Sequence, residues 1–116
     1  MKPNTEIIKA NAEKKWRELA AEKATQYFGR FIPEVNLKAT EGKFKDWVEP
    51  RWYACAYLRA HGLSLRKIAN ILHYSDHTSV MHGRDKARER WTKEHFEKIA
   101  LADEQDVQGK AWSMAA

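Results

Sequence analysis

One polar helix face carries the residues best suited to contact another molecule. The segment from Asp76 to Trp91 has small or apolar residues at positions 80, 83 and 87, a spacing typical of one buried stripe on an α-helix. The opposite face then carries His77, Thr78, Met81, Arg84 and Arg88. An α-helix fits the major groove of B-DNA, and residues near its N-terminus reach the base edges. This face therefore indicates recognition of duplex DNA.

The side chains at the start of this helix have the chemistry that base recognition requires. Thr78 offers a hydroxyl and a methyl group, and His77 can donate or accept a hydrogen bond. Asp76 can cap the helix and can also accept from a cytosine amino group. Further along, Arg84 and Arg88 suit phosphate groups. We predict base readout by the first three residues and backbone contacts by the two arginines.

Other kinds of site find little support in the sequence. His73, His77 and His82 are four and five residues apart, but no cysteine or acid completes a tetrahedral set in sequence, so we expect no metal and no other cofactor. The single cysteine, Cys55, lies in an apolar run, where a small core side chain is more common than a nucleophile. No carboxylates cluster at the spacing that a metal-dependent nuclease needs. We therefore expect no catalytic residues and no enzymatic activity.

Two short helices would hold the polar face in place. Ser64 is a candidate N-cap, and the apolar residues after it follow the spacing of one buried stripe: Leu65, Ile68, Ala69 and Leu72. Residues 73–75 break this pattern, and Asp76 is a second candidate N-cap. Two short helices joined by a tight turn, after a buried helix, are typical of a helix-turn-helix. We predict this motif from about Ser64 to Trp91.

The rest of the chain predicts a small all-α bundle. A first helix from Asn4 to Phe28, with an inward stripe from Ile8 through Trp16 to Tyr27, ends at Gly29, which suits a left-handed cap. The other predicted elements are a loop at 30–46 with one short turn around 34–37, a buried helix from 47–50 to 61–62, and a helix at about 93–102. We predict one domain over residues 1–102 and a polar, frayed tail over 103–116.

Composition favours a polyanionic partner. The chain has 116 residues, a net charge of +5 and a sequence pI near 9.4. From Lys43 to Lys93 there are eleven basic residues against five acidic ones, which gives +6 and leaves −1 for the remainder. One cysteine excludes an intramolecular disulfide, and no apolar stretch has the length of a secretory signal or a membrane span. We expect a cytoplasmic, nucleoid-associated protein without a membrane partner.

Two segments closely resemble a known DNA-binding signature. They are Ser64-Leu65-Arg66-Lys67-Ile68-Ala69 and Ser75-Asp76-His77-Thr78-Ser79-Val80-Met81-His82-Gly83. Both are similar to the C-terminal DNA-binding domain of the DnaA family, the bacterial chromosomal replication initiators. The upstream segment from Pro50 to Arg59 resembles the element that precedes this signature, and the similarity extends from about Ala24 to Arg90.

The resemblance implies a fold and a set of contacts. The fold would be the Trp-repressor-like bundle of the DnaA C-terminal domain. Asp76, His77 and Thr78 fall where family members read an AT-rich box of the TTATNCACA type. The positions that correspond to backbone contacts are Arg51, Arg59 and Ser79. Lys43 and Lys45 fall in the loop whose arginine enters the minor groove in the family, and lysine reads a narrow groove less well than arginine.

The chain also departs from the family pattern. Residues 73–75, His-Tyr-Ser, replace a turn that usually has glycines and a basic residue, and Trp52 stands at a commonly polar position. Arg66 and Lys67 add charge where a proline and an acid are frequent. No G-x-x-x-x-G-K-[ST] motif occurs, so we expect no ATP-driven activity.

The expected function is binding of one monomer to a DnaA-box-like site on double-stranded DNA. Binding would regulate replication initiation or transcription by occupancy or competition, in a protein of phage or mobile-element type. The alternative that stays open is a protein-interaction module that binds a replication initiator or a polymerase subunit.

Overall fold

The described residues, 5–41 and 45–103 in a computed structural model, form an all-α structure, as predicted. Its elements are α1 (Thr5–Phe28), 3₁₀ helices at Glu34–Leu37 and Ala39–Glu41, α2 (Lys45–Ala60), α3 (Leu65–Ile71), α4 (His77–Arg90) and α5 (residues 93–103). The first 3₁₀ helix occupies the predicted short turn and buries Leu37. Gly29 has φ of 68°, so the predicted left-handed cap of α1 is confirmed.

Helix α2 is the centre of the bundle. Residues 53–58 are all buried, and helices α1, α3 and α4 pack around them. A helix that is apolar on every side can lie only in such a central position. Cys55 is completely buried, and this burial raises the pKa of its thiol to about 12. The interpretation of Cys55 as a core side chain is therefore confirmed.

The start of α2 differs from the prediction because of a long-range contact. The helix begins at Lys45, which places Pro50 inside it rather than in its first turn. Proline has no N–H, so the carbonyl of Asp46, four residues earlier, lacks its helical donor. The guanidinium of Arg30 donates a hydrogen bond to this carbonyl and replaces the missing donor. Nothing in the local pattern around Pro50 points to Arg30.

Helix α1 packs through small residues and one arginine. Ala20 and Ala24 are completely buried, whereas Ile8 and Tyr27, at the two ends of the predicted stripe, are 57% and 45% exposed. The predicted inward stripe is therefore wrong at Ile8, whereas the Tyr27 ring, although partly exposed, packs against Tyr53 and Trp91. Between Ile8 and Tyr27, Arg17 is only 5% exposed. An arginine can occupy an inward position only where its guanidinium finds partners, and the local spacing of apolar residues does not report such partners.

Arg17 joins three elements. Its Nε lies 2.9 Å from Oε2 of Glu34 in the first 3₁₀ helix, and its Nη1 donates to the carbonyl of Ile71 at 2.7 Å. Ile71 is the last residue of α3, and terminal helical carbonyls have no partner within the helix. Arg17 therefore neutralises Glu34 and caps α3 from the neighbouring helix. Its burial is compensated by charge and by hydrogen bonds.

Asp103 belongs to the folded bundle rather than to the tail. It lies in α5 and accepts hydrogen bonds from the hydroxyl of Tyr57, from Nζ of Lys23 at 2.9 Å and from Nε2 of His61 at 3.1 Å. Burial raises the pKa of Asp103, but these three hydrogen bonds outweigh it and lower the pKa below its ordinary value. The predicted domain boundary after residue 102 is therefore too early. The remainder of the predicted tail, 104–116, lies outside the described residues.

Candidate nucleic-acid interface

Helix α3 begins as its sequence predicts. The side chain of Ser64 accepts a hydrogen bond from the backbone N–H of Lys67 at 3.1 Å, so Ser64 is the N-cap. Ile68, Ala69 and Leu72 are buried, and Leu65 is half-buried. These contacts set α3 against the core. Residues 72–76 then connect it to α4.

The turn between the two helices contains an unusual backbone conformation. His73 has φ of 58°, in the left-handed region that glycine adopts most easily. A side chain in that region costs about 1–2 kcal/mol. The His73 ring lies close to the buried arginine, with Nε2 at 3.4 Å from Nη1 of Arg17. A histidine therefore occupies this turn, at a place where the resemblance to the DnaA family implies glycine.

The surroundings of His73 favour its neutral form. Burial lowers the pKa of His73 below its ordinary value, and the charges of Arg17 and Lys38 lower it further. Glu13 and Glu34 act in the opposite direction and do not compensate. The neutral ring can accept a hydrogen bond from Arg17, which a protonated ring cannot do. The turn before α4 is thus coupled to a titratable group.

Asp76 caps α4, as predicted. Its Oδ1 accepts from the backbone N–H of Thr78 at 2.8 Å. Hydrogen bonds from the Thr78 backbone and side chain, followed by the charge of His77, lower the pKa of Asp76, so the carboxylate is ionised at neutral pH. Nδ1 of His77 lies 3.4 Å from the same carboxylate oxygen. Because of these contacts the first turn of α4 has a fixed start, with the Thr78 hydroxyl held beside the cap.

The inner face of α4 has a glycine where it lies closest to α2. Val80 and Ala87 are completely buried, and Gly83 lies between them against α2. A Cβ on Gly83 would lie 3.1 Å from Sγ of Cys55 and 3.2 Å from Cδ1 of Trp52, closer than ordinary van der Waals contact. A side chain at this position would therefore require Cys55 or Trp52 to move by a few tenths of an ångström. Trp52, which stands at a commonly polar position of the family pattern, packs into this contact.

The outer face of α4 is open to solvent at its N-terminal end. His77, Thr78, Ser79 and His82 are exposed, and Met81 is 36% exposed. The structure therefore brings the predicted readout residues together on one accessible turn, at the end of the helix where bare N–H groups point outward. Polar groups of both donor and acceptor type are available there, together with the Met81 thioether.

The three arginines predicted to contact the backbone near α4 have different surroundings. Arg84 is half-buried, and its Nε and Nη2 each lie 3.1 Å from Oδ1 of the adjacent Asp85. Arg59, at the end of α2, donates from Nη1 to the carbonyl of Leu63 at 3.0 Å. Arg88 makes no hydrogen bond or ion pair with the residues that the structure describes. Arg88 is therefore the cation of this group with the greatest freedom to bind another molecule.

The structure corrects the role expected of Arg51. Its side chain is inside the protein, with 3% of the residue exposed, and its Nε donates to the carbonyl of Asn36 at 3.0 Å. With so little of the residue exposed, its guanidinium offers almost no surface to a DNA phosphate in this conformation. The physical reason is that Asn36, in an element far from α2 in sequence, supplies an acceptor inside the bundle. Arg51 is a structural residue in this conformation, not a backbone contact.

The two lysines predicted for the minor groove are only partly placed. Lys45 is the first residue of α2 rather than part of a loop, and its side chain is outside the described part of the chain. Lys43 lies outside the described residues altogether. The expectation of a minor-groove contact therefore stays a prediction, and for Lys45 the predicted loop position is wrong.

A polar cavity beside the first turn of α4 adds residues that the sequence did not predict for the site. It has a volume of about 430 Å³ and is lined by Arg66 and Asn70 of α3 together with Tyr74, Ser75, Asp76 and His77. Arg66 and Asn70 are four residues apart, so they share one face of α3. This spacing, with the excess positive charge at Arg66, is the signal in the sequence that could have identified them.

The described residues contain neither a metal-binding cluster nor a membrane-spanning helix. No group of three or more His, Cys, Asp or Glu side chains is arranged to hold a metal ion there. No helix in the described ranges combines the length and the apolar character needed to cross a membrane. Comparison of the chain with models of known families, with curated proteins and with solved structures found no match.

Proposed function

We propose that this protein binds double-stranded DNA in a sequence-specific manner, with α3 and α4 acting as a helix-turn-helix. The observation that carries the proposal is the first turn of α4. Its polar residues are exposed, its start is fixed by the Asp76 cap, and its opposite face is packed against α2 through Gly83. A rigid helix that presents exposed polar groups at its N-terminus has the geometry needed to read base edges in a major groove.

The contacts would divide along α4. His77 and Thr78 read base edges, with the Thr78 methyl group suited to the methyl of thymine. Asp76 holds the turn and can accept from a base amino group. Ser79, Arg84 and Arg88, with Arg59 from α2, contact phosphates and set the orientation of the helix. The resemblance to the DnaA family makes an AT-rich box the expected target, and one monomer would occupy one asymmetric box.

Binding at such a site would regulate replication initiation or transcription by occupancy. The sequence contains no phosphate-binding loop of the G-x-x-x-x-G-K-[ST] type. The simplest consequence of binding is that a larger initiator or a polymerase loses access to the site.

Selection of bound sequences from random duplex DNA tests the proposed function. The expected result is enrichment of one AT-rich box of about nine base pairs, a length implied by the family resemblance and accessible to one recognition helix with flanking contacts. The matched control is His77→Ala, which should still bind DNA but enrich a box with relaxed preference at one or two positions. Recovery of no preferred sequence by the unmodified protein would contradict the proposal.

A second candidate function is supported by an apolar groove between α1 and residues 31–34. The groove has a volume of about 450 Å³, and Phe31 on its edge is 77% exposed. Glu18 and Glu22 also line it. A groove with apolar and acidic side chains fits a helical segment that has apolar residues flanked by lysine or arginine. The expected partner is a replication initiator or a polymerase subunit.

The two candidate functions are separated by Phe31→Glu. This change adds a negative charge to the groove and leaves α4 untouched. We expect unchanged DNA binding and, if the groove binds a protein, loss of binding to a purified replication initiator in an equilibrium titration. Identical binding of the initiator by the variant and the unmodified protein would remove the second candidate.

A further inference from the structure

A cavity at the far end of α4 collects positive charge. It has a volume of about 240 Å³ and lies where the C-terminal ends of α2 and α4 meet the start of α5. Arg59, Arg88 and Lys93 line it, each from a different helix, and Glu97 is the acidic residue in its lining. The rest of the lining is apolar, from Ala56, Ala60 and Phe96. Three cations and one carboxylate leave a formal excess of two positive charges.

This excess has little compensation within the described part of the chain. Arg59 donates one hydrogen bond to a backbone carbonyl, and Nζ of Lys93 lies 3.7 Å from Oε1 of Glu97. Arg88 has no hydrogen bond or ion pair there. Burial lowers the pKa of Arg88, and the nearby charges of Arg84 and Arg59 lower it further, whereas Asp85 and Glu97 act in the opposite direction and do not compensate. The arginines therefore repel one another in the unliganded protein.

Helix dipoles explain part of this arrangement but not all of it. Cations are stabilised at helix C-termini, which accounts for Arg59 at the end of α2 and for Arg88 in the last turn of α4. Lys93 is the first residue of α5, where the dipole disfavours a cation. A residue that contributes to anion binding would be expected in this place, since a helix N-terminus and a lysine attract the same ligand.

We infer that the cavity formed by Arg59, Arg88 and Lys93 is a binding site for one phosphate group. Guanidinium groups bind phosphate through paired N–H donors, and lysine adds a compact charge. The apolar floor strengthens these interactions because it keeps water away from one side. The volume is sufficient for one phosphate group.

The source of the phosphate follows from the position of the cavity. Arg88 is four residues from Arg84, so the two arginines share one face of α4 between its N-terminal turn and the cavity. A backbone phosphate of the bound duplex is therefore the favoured ligand, an assignment that rests on the proposed function. A free phosphorylated small molecule has the same chemistry and is distinguished by the experiment.

The test uses the full chain and three charge-removing variants. Lys93→Gln removes a cation from the cavity, and Glu97→Gln removes its carboxylate. Lys98→Gln is the matched control, since Lys98 is an exposed lysine of the same helix that does not line the cavity. Each protein is titrated with inorganic phosphate while the NMR signals of the arginine Nε–H groups are followed. Each is also titrated with a duplex at several salt concentrations.

The expected result has opposite signs for the two cavity variants. Lys93→Gln should bind phosphate and the duplex about five- to tenfold more weakly near 0.1 M salt, and its log–log salt slope should fall by about one unit. Glu97→Gln should bind both at least threefold more tightly, an increase that a merely structural role would not produce. Lys98→Gln should behave like the unmodified protein in phosphate binding.

Three outcomes decide whether the cavity binds phosphate, where that phosphate comes from and whether the proposed DNA binding holds. Phosphate binding that depends on Lys93, with unchanged duplex binding by Lys93→Gln, would support the site and assign it to a free phosphorylated molecule. No response of the arginine signals to phosphate, with no effect of either cavity variant on the duplex, would overturn the inference. In that case a duplex preference that still depends on Thr78 would leave the proposed function intact. Absence of any DNA binding with intact phosphate binding would reject the function alone.

Discussion

The arginines of this protein divide into two regions with opposite surroundings. Arg17 and Arg51 are inside the bundle, where each donates to a backbone carbonyl of another element, Ile71 and Asn36 respectively. Arg84 and Arg88 lie on the outer side of α4, and Arg88 has no hydrogen bond or ion pair with the described residues. The sequence predicted DNA contacts in both regions. Of these four arginines, only the outer two are available to another molecule, because the inner two already donate hydrogen bonds within the fold.

Helix α4 likewise has one buried face and one exposed face. A substitution on its buried face should have the largest effect on stability. Val80 is completely buried, and the adjacent Met81 is 36% exposed. Val80→Asp places a charge in the core without a partner, and its cost should approach the whole free energy of unfolding of a small domain, about 5–15 kcal/mol, so that the domain unfolds. Circular dichroism should show loss of helix and no thermal transition. Met81→Asp is the matched control and should retain the transition; similar unfolding of both variants would contradict the assignment of the two faces.

Removal of Arg17 should have the next largest effect. Arg17→Met keeps much of the side-chain volume but removes the ion pair with Glu34 and the donor to the carbonyl of Ile71. We expect a loss of about 2–4 kcal/mol in the free energy of unfolding, measured by urea denaturation. Arg84→Met, on the outer side, should change the same quantity by less than about 0.5 kcal/mol. Equal losses in the two variants would show that the inner arginine has no special role.

Arg51 and Arg88 provide the direct test of the corrected DNA contact. Arg51→Met should lower the free energy of unfolding by about 1–3 kcal/mol, because the partly buried carbonyl of Asn36 loses its donor. Arg88→Met should leave stability within about 0.5 kcal/mol and weaken DNA binding instead. Urea denaturation and fluorescence anisotropy on the same samples measure both quantities. If Arg51→Met is fully stable and loses DNA affinity, the buried arginine leaves its place on binding and the correction fails.

A smaller effect on stability is expected from His73, in the turn between α3 and α4. Because the pKa of His73 is lowered by burial and by Arg17 and Lys38, the unfolded chain takes up a proton before the folded one. Stability is therefore unaffected by His73 above about pH 6.5, decreases as the pH falls below that value, and levels off once folded His73 is protonated. His73→Gln should remove this part of the pH dependence in urea titrations. His77→Gln should retain it, and an unchanged profile in His73→Gln would contradict the coupling.

Local chemistry made part of the structure predictable. Ser64 and Asp76 are N-caps because their side chains accept from amides two or three residues later, a contact contained within the segment itself. Gly29 ends α1 for an equally local reason. The predicted helix ends are accurate where such residues define them. The readout residues are exposed as expected because they follow directly from the Asp76 cap and the inward positions of α4.

The parts that were not predictable depend on partners distant in sequence. The burial of Arg51 follows from Asn36, and the early start of α2 follows from Arg30 beside Asp46. Likewise Asp103 is folded because Tyr57 and Lys23 lie opposite it. Hydrophobic periodicity describes which face of a helix is apolar, but it does not report a buried polar group whose acceptor is in another element. Charged residues are therefore the least predictable members of this core.

We propose that α4 reads bases at its N-terminal end and binds phosphates toward its C-terminal end. Fluorescence anisotropy with Thr78→Ala and Arg88→Ala, on the selected box and on a scrambled duplex of equal composition, tests it most directly. Thr78→Ala should lose about 1–3 kcal/mol on the box and little on the scrambled duplex. Arg88→Ala should weaken both equally and lower the salt slope by about one unit. An equal loss on both duplexes for Thr78→Ala would contradict the account.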